Sequence, residues 1–242
     1  MSVFRFKRFE VVNDRSAMKV NTDGVLLGAA MTISSSDRKL LDIGTGTGTI
    51  ALMAAQRLSD VTAESVIEAI DIDEASATEA AANFCNSPWA DMLRVTHSSL
   101  GDFAGDGDGK KYDLIFSNPP YFEDSLNAPE ERRNNARHTS TGLSYREILD
   151  FAAAHLSENG RVSVVLPADT EYSLCRHARM NGLFLFRIVR IKTVPRKEPS
   201  RIIAEFSRKR IDLVSEETLI IQNEGKYTSE YLSLTHEFYL FA

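Results

Sequence analysis

Short apolar runs alternate with stretches of helical period along most of the chain. Lys39–Ile43 (KLLDI) is a short apolar run that ends in glycines. Thr49–Leu58 (TIALMAAQRL) is helical by composition and period, and Val66–Ile72 (VIEAIDI) reads as a strand. Glu74–Cys85 is alanine-rich, with Asp73 placed as its N-cap. Strands follow at Leu93–Thr96 and Tyr112–Phe116, then a helix near Tyr145–Leu156 and the strand Val162–Leu166. Alternation of this kind predicts an α/β fold with a parallel sheet covered by helices on both faces. A helix near Thr170–Met180 comes next, with Gly182 as its left-handed stop. Phe184–Thr193 and Arg201–Arg208 flank PRKEPS and predict an antiparallel hairpin at the end of the sheet.

The 242 residues, 43% hydrophobic and 26% charged, suffice for one large core and are marginal for two. No repeat is present, and the one low-complexity stretch is the short loop Gly105–Lys111. The longest apolar run, Val25–Ile33, falls far short of a membrane span, and the N-terminus has no apolar signal region. Cys85 and Cys175 make neither a metal-ligand spacing nor a disulfide framework, which suits a reducing cytoplasm. The expectation is a metal-free cytoplasmic monomer with no membrane partner.

Net charge is −6, but its distribution is uneven. Residues 161–210 carry 12 Lys+Arg against 4 Asp+Glu, whereas residues 20–160 carry 10 against 22. A basic block behind an acidic body suits an edge that faces a polyanion; a solvated surface is the plain alternative. Arg187, Arg190, Lys192, Arg196, Lys197 and Arg201 crowd the hairpin, and Arg196, Lys197 and Arg201 fall at its tip.

Between the first strand of the alternation and its helix lies Asp42-Ile-Gly44-Thr-Gly46-Thr-Gly48. Glycines there let backbone approach a ligand and take positive φ. The spacing is GxGxG, Thr49 stands where a GxGxxG fingerprint wants its last glycine, and no P-loop pattern is present. Asp42 lies where it could contact a cationic ligand. Asp71, ending the next strand, holds the position that faces a ribose in doubly wound folds. A ligand-free turn is the alternative.

Ser117-Asn118-Pro119-Pro120-Tyr121-Phe122 follows the strand YDLIF, at the C-terminal end where ligands bind in open α/β sheets. Consecutive prolines stiffen the backbone and hold Asn118 and the Pro119 carbonyl in fixed relation. An exocyclic NH2 is a poor nucleophile, because its lone pair is delocalised into the ring. Two acceptors, the Asn118 side-chain oxygen and the Pro119 carbonyl, can bind its hydrogens and stabilise charge developing on nitrogen. Tyr121 can stack on an unpaired base, with Pro120 and Phe122 beside it.

The glycine loop with Asp71 resembles the class I S-adenosylmethionine-dependent methyltransferases, and NPPY resembles the signature of their amino-group-methylating branch. The resemblance implies a Rossmann-like, mostly parallel seven-stranded sheet with a C-terminal antiparallel hairpin. It places Gly44, Gly46 and Gly48 under the donor, and it puts either Ser99 or Asp102 against the donor adenine. Four further stretches, residues 4–29, NPPYF, the segment 133–139 and YLSLTHEFYL at 231–240, are similar to the bacterial tRNA(Val) adenine-N6 methyltransferases, which act just 3′ of the anticodon. That similarity implies cofactor-side roles for Lys19, Thr22 and Asp23, and substrate-side roles for Arg137 and His138.

The expected protein is a single domain over 1–242. Segment 1–38 closes over S-adenosylmethionine, 39–170 forms the cofactor and catalytic half, and 171–242 is a basic substrate edge that holds tRNA. The alternatives are the same chemistry on rRNA or protein glutamine, an idle donor-binding module on RNA, and a nicotinamide oxidoreductase.

Overall fold

The computed structural model describes residues 2–16, 18–61, 64–106, 109–120 and 143–241. Its centre is an eight-stranded sheet. In chain order the strands are β3 (Lys39–Ile43), β4 (Val66–Asp71), β5 (Leu93–His97), β6 (Tyr112–Ser117), β7 (Leu156–Pro167), β8 (Phe184–Lys192), β9 (Arg201–Ser207) and β10 (Ser215–Ile220). Across the sheet they run β10-β8-β9-β7-β6-β3-β4-β5, with β9 alone antiparallel to its neighbours. A small antiparallel pair, β1 (Val3–Arg5) and β2 (Glu10–Val12), precedes it.

Four helices form where the sequence predicts them. Helix α2 (Thr49–Ser59) follows the glycine loop, and α3 (Glu74–Cys85) starts at Asp73, whose Oδ2 accepts the Ser76 N–H at 2.9 Å. That bond and the Ser76 hydroxyl hold the Asp73 carboxyl below the usual carboxylate range. Past the short α4 (Leu100–Asp106), helix α5 (Tyr145–His155) opens with a capping box between Ser144 and Glu147. Helix α6 (Glu171–Met180) ends at Gly182, which takes φ 71° as expected.

One core cluster covers one face of the sheet, where Leu27, Met53, Leu58, Phe84 and Trp89 meet Phe6, Phe9 and Tyr239 from the chain ends. The other face carries Ile148, Leu149, Phe151, Leu174 and Leu183. Each such side chain fully buried contributes about 1.5–3 kcal/mol.

One feature adds to the sequence reading and two correct it. The apolar run from Val25 begins inside a helix, α1 (Thr22–Ala30), pressed against α2 so closely that a Cβ on Gly28 would stand 2.7 Å from the Met53 sulfur. Strand β7 starts at Leu156 rather than Val162. The sheet has eight strands, not seven, and the predicted hairpin is not its end: β10 lies outside β8 and parallel to it. Hydrophobic patterning does not reveal β10 (SEETLI), because four of its six residues are exposed. Pairing to β8 and to arginines holds it instead. Arg187 donates to Glu217 Oε1 at 2.7 Å, and Arg190 to Glu216 Oε2 at 2.7 Å.

Candidate functional site

The site lies at the C-terminal ends of β3, β4 and β6. Gly44, Gly46 and Gly48 take φ of 72°, 56° and 81°, the left-handed region that a side chain disfavours. Space reinforces conformation at Gly48, where a Cβ would meet the Phe84 ring at 2.5 Å. The loop is tied to β4: Gly44 and Thr45 N–H donate to the Ile70 carbonyl at 2.9 and 3.0 Å. Gly46 N–H donates to Asp71 Oδ2 at 2.8 Å, while Asp71 Oδ1 accepts Asp73 N–H at 2.9 Å. Burial raises the Asp71 carboxyl above its ordinary range, against the opposing pull of those two N–H groups.

Asp42 is enclosed. Its Oδ2 accepts the Thr45 hydroxyl at 2.7 Å, and its Oδ1 has no hydrogen-bond partner among the described residues. Desolvation pushes its pKa up to about 7. It sits behind the glycine loop, one layer back from the residues that line the cleft.

A narrow cleft separates the glycine loop from Met18–Asn21 and from Asn118, with Gly24, Thr45, Thr47, Thr49 and Ile50 completing its walls. Helix α3 fixes the far wall. The buried Glu79 carboxylate accepts the backbone N–H groups of Asp14, Arg15 and Ser16 at 2.9, 2.6 and 3.1 Å. The Asn83 amide donates to the Val12 and Thr47 carbonyls and so joins this segment to the glycine loop. At the other end of α1, Arg57 donates to the Gly28 and Met31 carbonyls at 2.8 and 2.9 Å, which satisfies the helix terminus; burial lowers its pKa to about 10.

Asn118 is 5% exposed at the end of β6. Its Nδ2 donates to Asn21 Oδ1 at 3.4 Å and to Met18 Sδ at 3.7 Å.

Of the residues expected on the cofactor side, Lys19, Gly44, Gly46 and Asn118 line the cleft. The Lys19 ammonium is turned to the Asn13 and Asp14 carbonyls, at 2.8 and 2.7 Å. Thr22 begins α1, and Asp23 pairs with Arg201 at 2.8 Å; neither is a wall residue. Ser99 and Asp102 are bonded to each other: the Ser99 hydroxyl donates to Asp102 Oδ2 at 2.6 Å and accepts the Asp102 N–H at 3.1 Å. Tyr121, Phe122, Arg137 and His138 lie outside the described residues.

The basic block is less free than its composition suggests. Arg161 pairs with Asp37, Arg187 with Glu205 and Glu217, and Arg190 with Glu171 and Glu216. Arg201, expected at the hairpin tip with Arg196 and Lys197, is the first residue of β9 and holds Asp23. Arg196 and Lys197 are exposed on the connection between β8 and β9, where no ion pair among the described residues engages them.

Sequence reasoning missed Met18 and Asn21 as site residues. The N-cap preference for asparagine ahead of TDGVLLGAA could have singled out Asn21 as a cap. No local signal reports a contact with Asn118, 97 positions later.

The family model of the methyltransferase small domain matches residues 16–185. A protein of Bacteroides fragilis named tRNA1(Val) (adenine(37)-N6)-methyltransferase is 44% identical over 98% of this chain and 97% of its own length. A Flavobacterium psychrophilum protein of the same name is 40% identical over 98% and 99%. Among solved structures, a predicted O-methyltransferase from Agrobacterium tumefaciens superposes with a TM-score of 0.67 at 15% identity, covering 89% of this chain and 96% of its own. Precorrin-6y C5,15-methyltransferase from Geobacter metallireducens gives 0.53 at 14%, covering 82% and 93%. These two likenesses concern the fold.

Proposed function

We propose a reaction for this chain, which belongs to the methyltransferase small domain family and, within it, to the tRNA1(Val) (adenine(37)-N6)-methyltransferases: it methylates the exocyclic N6 of adenine 37 in tRNA, with S-adenosylmethionine as donor. The observation that carries the mechanism is the placement of Asn118 at the end of β6, across a cleft from the glycine loop.

The cleft residues fit the donor. Gly44 and Gly46, in left-handed backbone, put no side chain on their part of the wall. Asp71 holds Gly46 and Asp73, yet each carboxylate oxygen keeps a second lone pair for a ribose hydroxyl. Asp42 Oδ1, which has no hydrogen-bond partner among the described residues, supplies negative potential behind the loop once ionised, which suits a cationic ligand. Ser99 both donates and accepts within its pair, so Asp102 keeps the acceptor capacity we assign to the donor adenine.

When bound, the donor supplies an electrophilic methyl on a cationic sulfur. The protein's task is to aim the amine lone pair at it. Asn118 Oδ1 and the Pro119 carbonyl accept the two N6 hydrogens, and the Pro119–Pro120 backbone keeps the acceptors preorganised. No dedicated base is required, because the amine becomes acidic once methylated. The sequence motif assigns base stacking to Tyr121 and substrate-side roles to Pro120, Phe122, Arg137 and His138. Position 37 lies in an anticodon loop, already single-stranded, which lowers the cost of splaying the base out.

The tRNA body is held by Arg196 and Lys197 on the β8–β9 connection. The chain brings its own glycine loop, acceptors and basic edge, so one domain and a monomer suffice. The unpaired Cys85 and Cys175 favour the cytoplasm. Among the described residues no helix is long and apolar enough to cross a membrane, and no cluster of side chains could hold a metal.

Mass spectrometry of digested tRNA(Val) tests the assignment. A strain lacking this chain should lose N6-methyladenosine at position 37, and the wild-type chain, but not Asn118→Ala, should restore it. A mark that persists without the chain overturns the substrate.

A further inference from the structure

Asn118 can act only with its amide oxygen toward the base. An asparagine amide is nearly symmetric in shape, and a half-turn about its last torsion exchanges oxygen for NH2. The flipped form would offer two donors to an adenine amine that is itself a donor. Something must choose between the two orientations, and the choice is visible in the structure.

The Asn118 NH2 faces Asn21 Oδ1 at 3.4 Å and Met18 Sδ at 3.7 Å. Both are acceptors, so a flipped Asn118 would bring its oxygen against two lone-pair-bearing atoms. Asn21 cannot turn to accommodate that. Its Oδ1 also accepts the Gly24 N–H at 2.8 Å, as the N-cap of α1, and its own NH2 donates to the Lys19 carbonyl at 3.1 Å. The position of α1 is in turn fixed at its far end by Arg57 and by Glu205, which accepts the Thr32 N–H at 2.9 Å.

We propose that Asn21 is a positioning residue that sets the orientation of the Asn118 amide, so that the helix cap and the catalytic acceptor are one hydrogen-bonded unit. The inference rests on the acceptor role assigned to Asn118, and it assigns to the N-terminal segment a part in substrate recognition beyond enclosing the donor.

Two substitutions separate capping from orientation. In Asn21→Ser the hydroxyl can still cap Gly24 N–H but is too short to reach Asn118. In Asn21→Asp an acceptor remains for both. Asn21→Ser should lower kcat roughly tenfold at saturating donor and tRNA, the loss of one oriented hydrogen bond, while donor affinity stays within about threefold. Asn21→Asp should recover most of that rate. A binding readout is independent of turnover. With S-adenosylhomocysteine bound, the wild type should prefer an anticodon stem-loop carrying adenosine at position 37 over one carrying purine riboside, which lacks the amino group. Asn21→Ser should erase that preference without lowering affinity for the purine riboside form. An unchanged preference in Asn21→Ser, or a rate loss in Asn21→Asp as large as in Asn21→Ser, overturns the proposal. Asn118→Ala, measured alongside, separates the two levels. If it keeps its rate, the acceptor role itself is wrong; if it loses it while Asn21→Ser does not, only the orienting role is.

Discussion

Asp71 Oδ2 accepts the backbone N–H of Gly46 at 2.8 Å, so the acid at the end of β4 and the middle glycine of the loop after β3 are one structural unit. The residue proposed to meet the donor thus also shapes the glycine loop. Asp71→Ala should remove both contributions. Hydrogen bonds to a charged acceptor are worth about 1.5–3 kcal/mol each, so affinity for S-adenosylhomocysteine should fall at least tenfold by calorimetry. Unchanged affinity would show that this carboxylate serves the loop alone.

Asn118→Ala should have the opposite signature. Methyl transfer should fall by about 10²-fold or more, because the variant lacks one preorganised acceptor for the transition state, while donor affinity changes little. Single-turnover transfer of labelled methyl groups to tRNA checks the rate.

The hairpin cations divide by environment. Arg196→Glu with Lys197→Glu should weaken tRNA binding at low salt. Every phosphate that the variant no longer neutralises should also flatten the slope of log affinity against log salt by roughly 0.7–0.9. Arg187→Ala should instead destabilise the fold, because Glu205 is fully buried and would lose its charged partner. Breaking such a pair costs about 3–5 kcal/mol, measurable by urea unfolding. Equal stability of the two variants would contradict the division.

Gly48→Ala adds a Cβ 2.5 Å from the ring of Phe84, at a φ of 81°. Left-handed backbone alone costs an alanine about 1–2 kcal/mol, and Phe84 is buried and has little room to yield. Thermal unfolding should register a loss above that range, together with weaker donor binding. A melting temperature equal to the wild type's would mean that the loop and α3 can separate freely.

Asp42, with its pKa raised to about 7, makes stability depend on pH. Between the ordinary carboxylate range and about pH 7 the folded state keeps a proton that the unfolded state has lost. Stability therefore falls as pH rises through this window and levels off above it, by up to about 4 kcal/mol in all. Asp42→Asn removes the titration. The difference in unfolding free energy between wild type and variant should shift toward the variant from pH 5 to pH 8; a constant difference would place the Asp42 pKa in the ordinary range.

The sequence by itself determined the parts whose signal is local. Strands and helices alternate because β3 and β4 are short apolar runs and α2 and α3 carry helical composition, so the parallel centre of the sheet was legible. The glycine loop and NPPY were legible for the same reason: each is a contiguous run whose backbone chemistry is set by its own residue types. Tertiary structure alone decided what distant segments do to one another. Strand β10 is a polar segment that becomes a strand because β8 offers an open edge and Arg187 and Arg190 await its glutamates. The excess of cations in residues 161–210 counted charges correctly but could not count partners, and Asp23, Asp37, Glu216 and Glu217 reach them from outside that block. Asn21 and Asn118 meet because α1 is anchored at its far end by Arg57 and Glu205. Periodicity and spacing report only neighbours along the chain, whereas a hydrogen bond between residues 97 positions apart exists only once the sheet has brought them together.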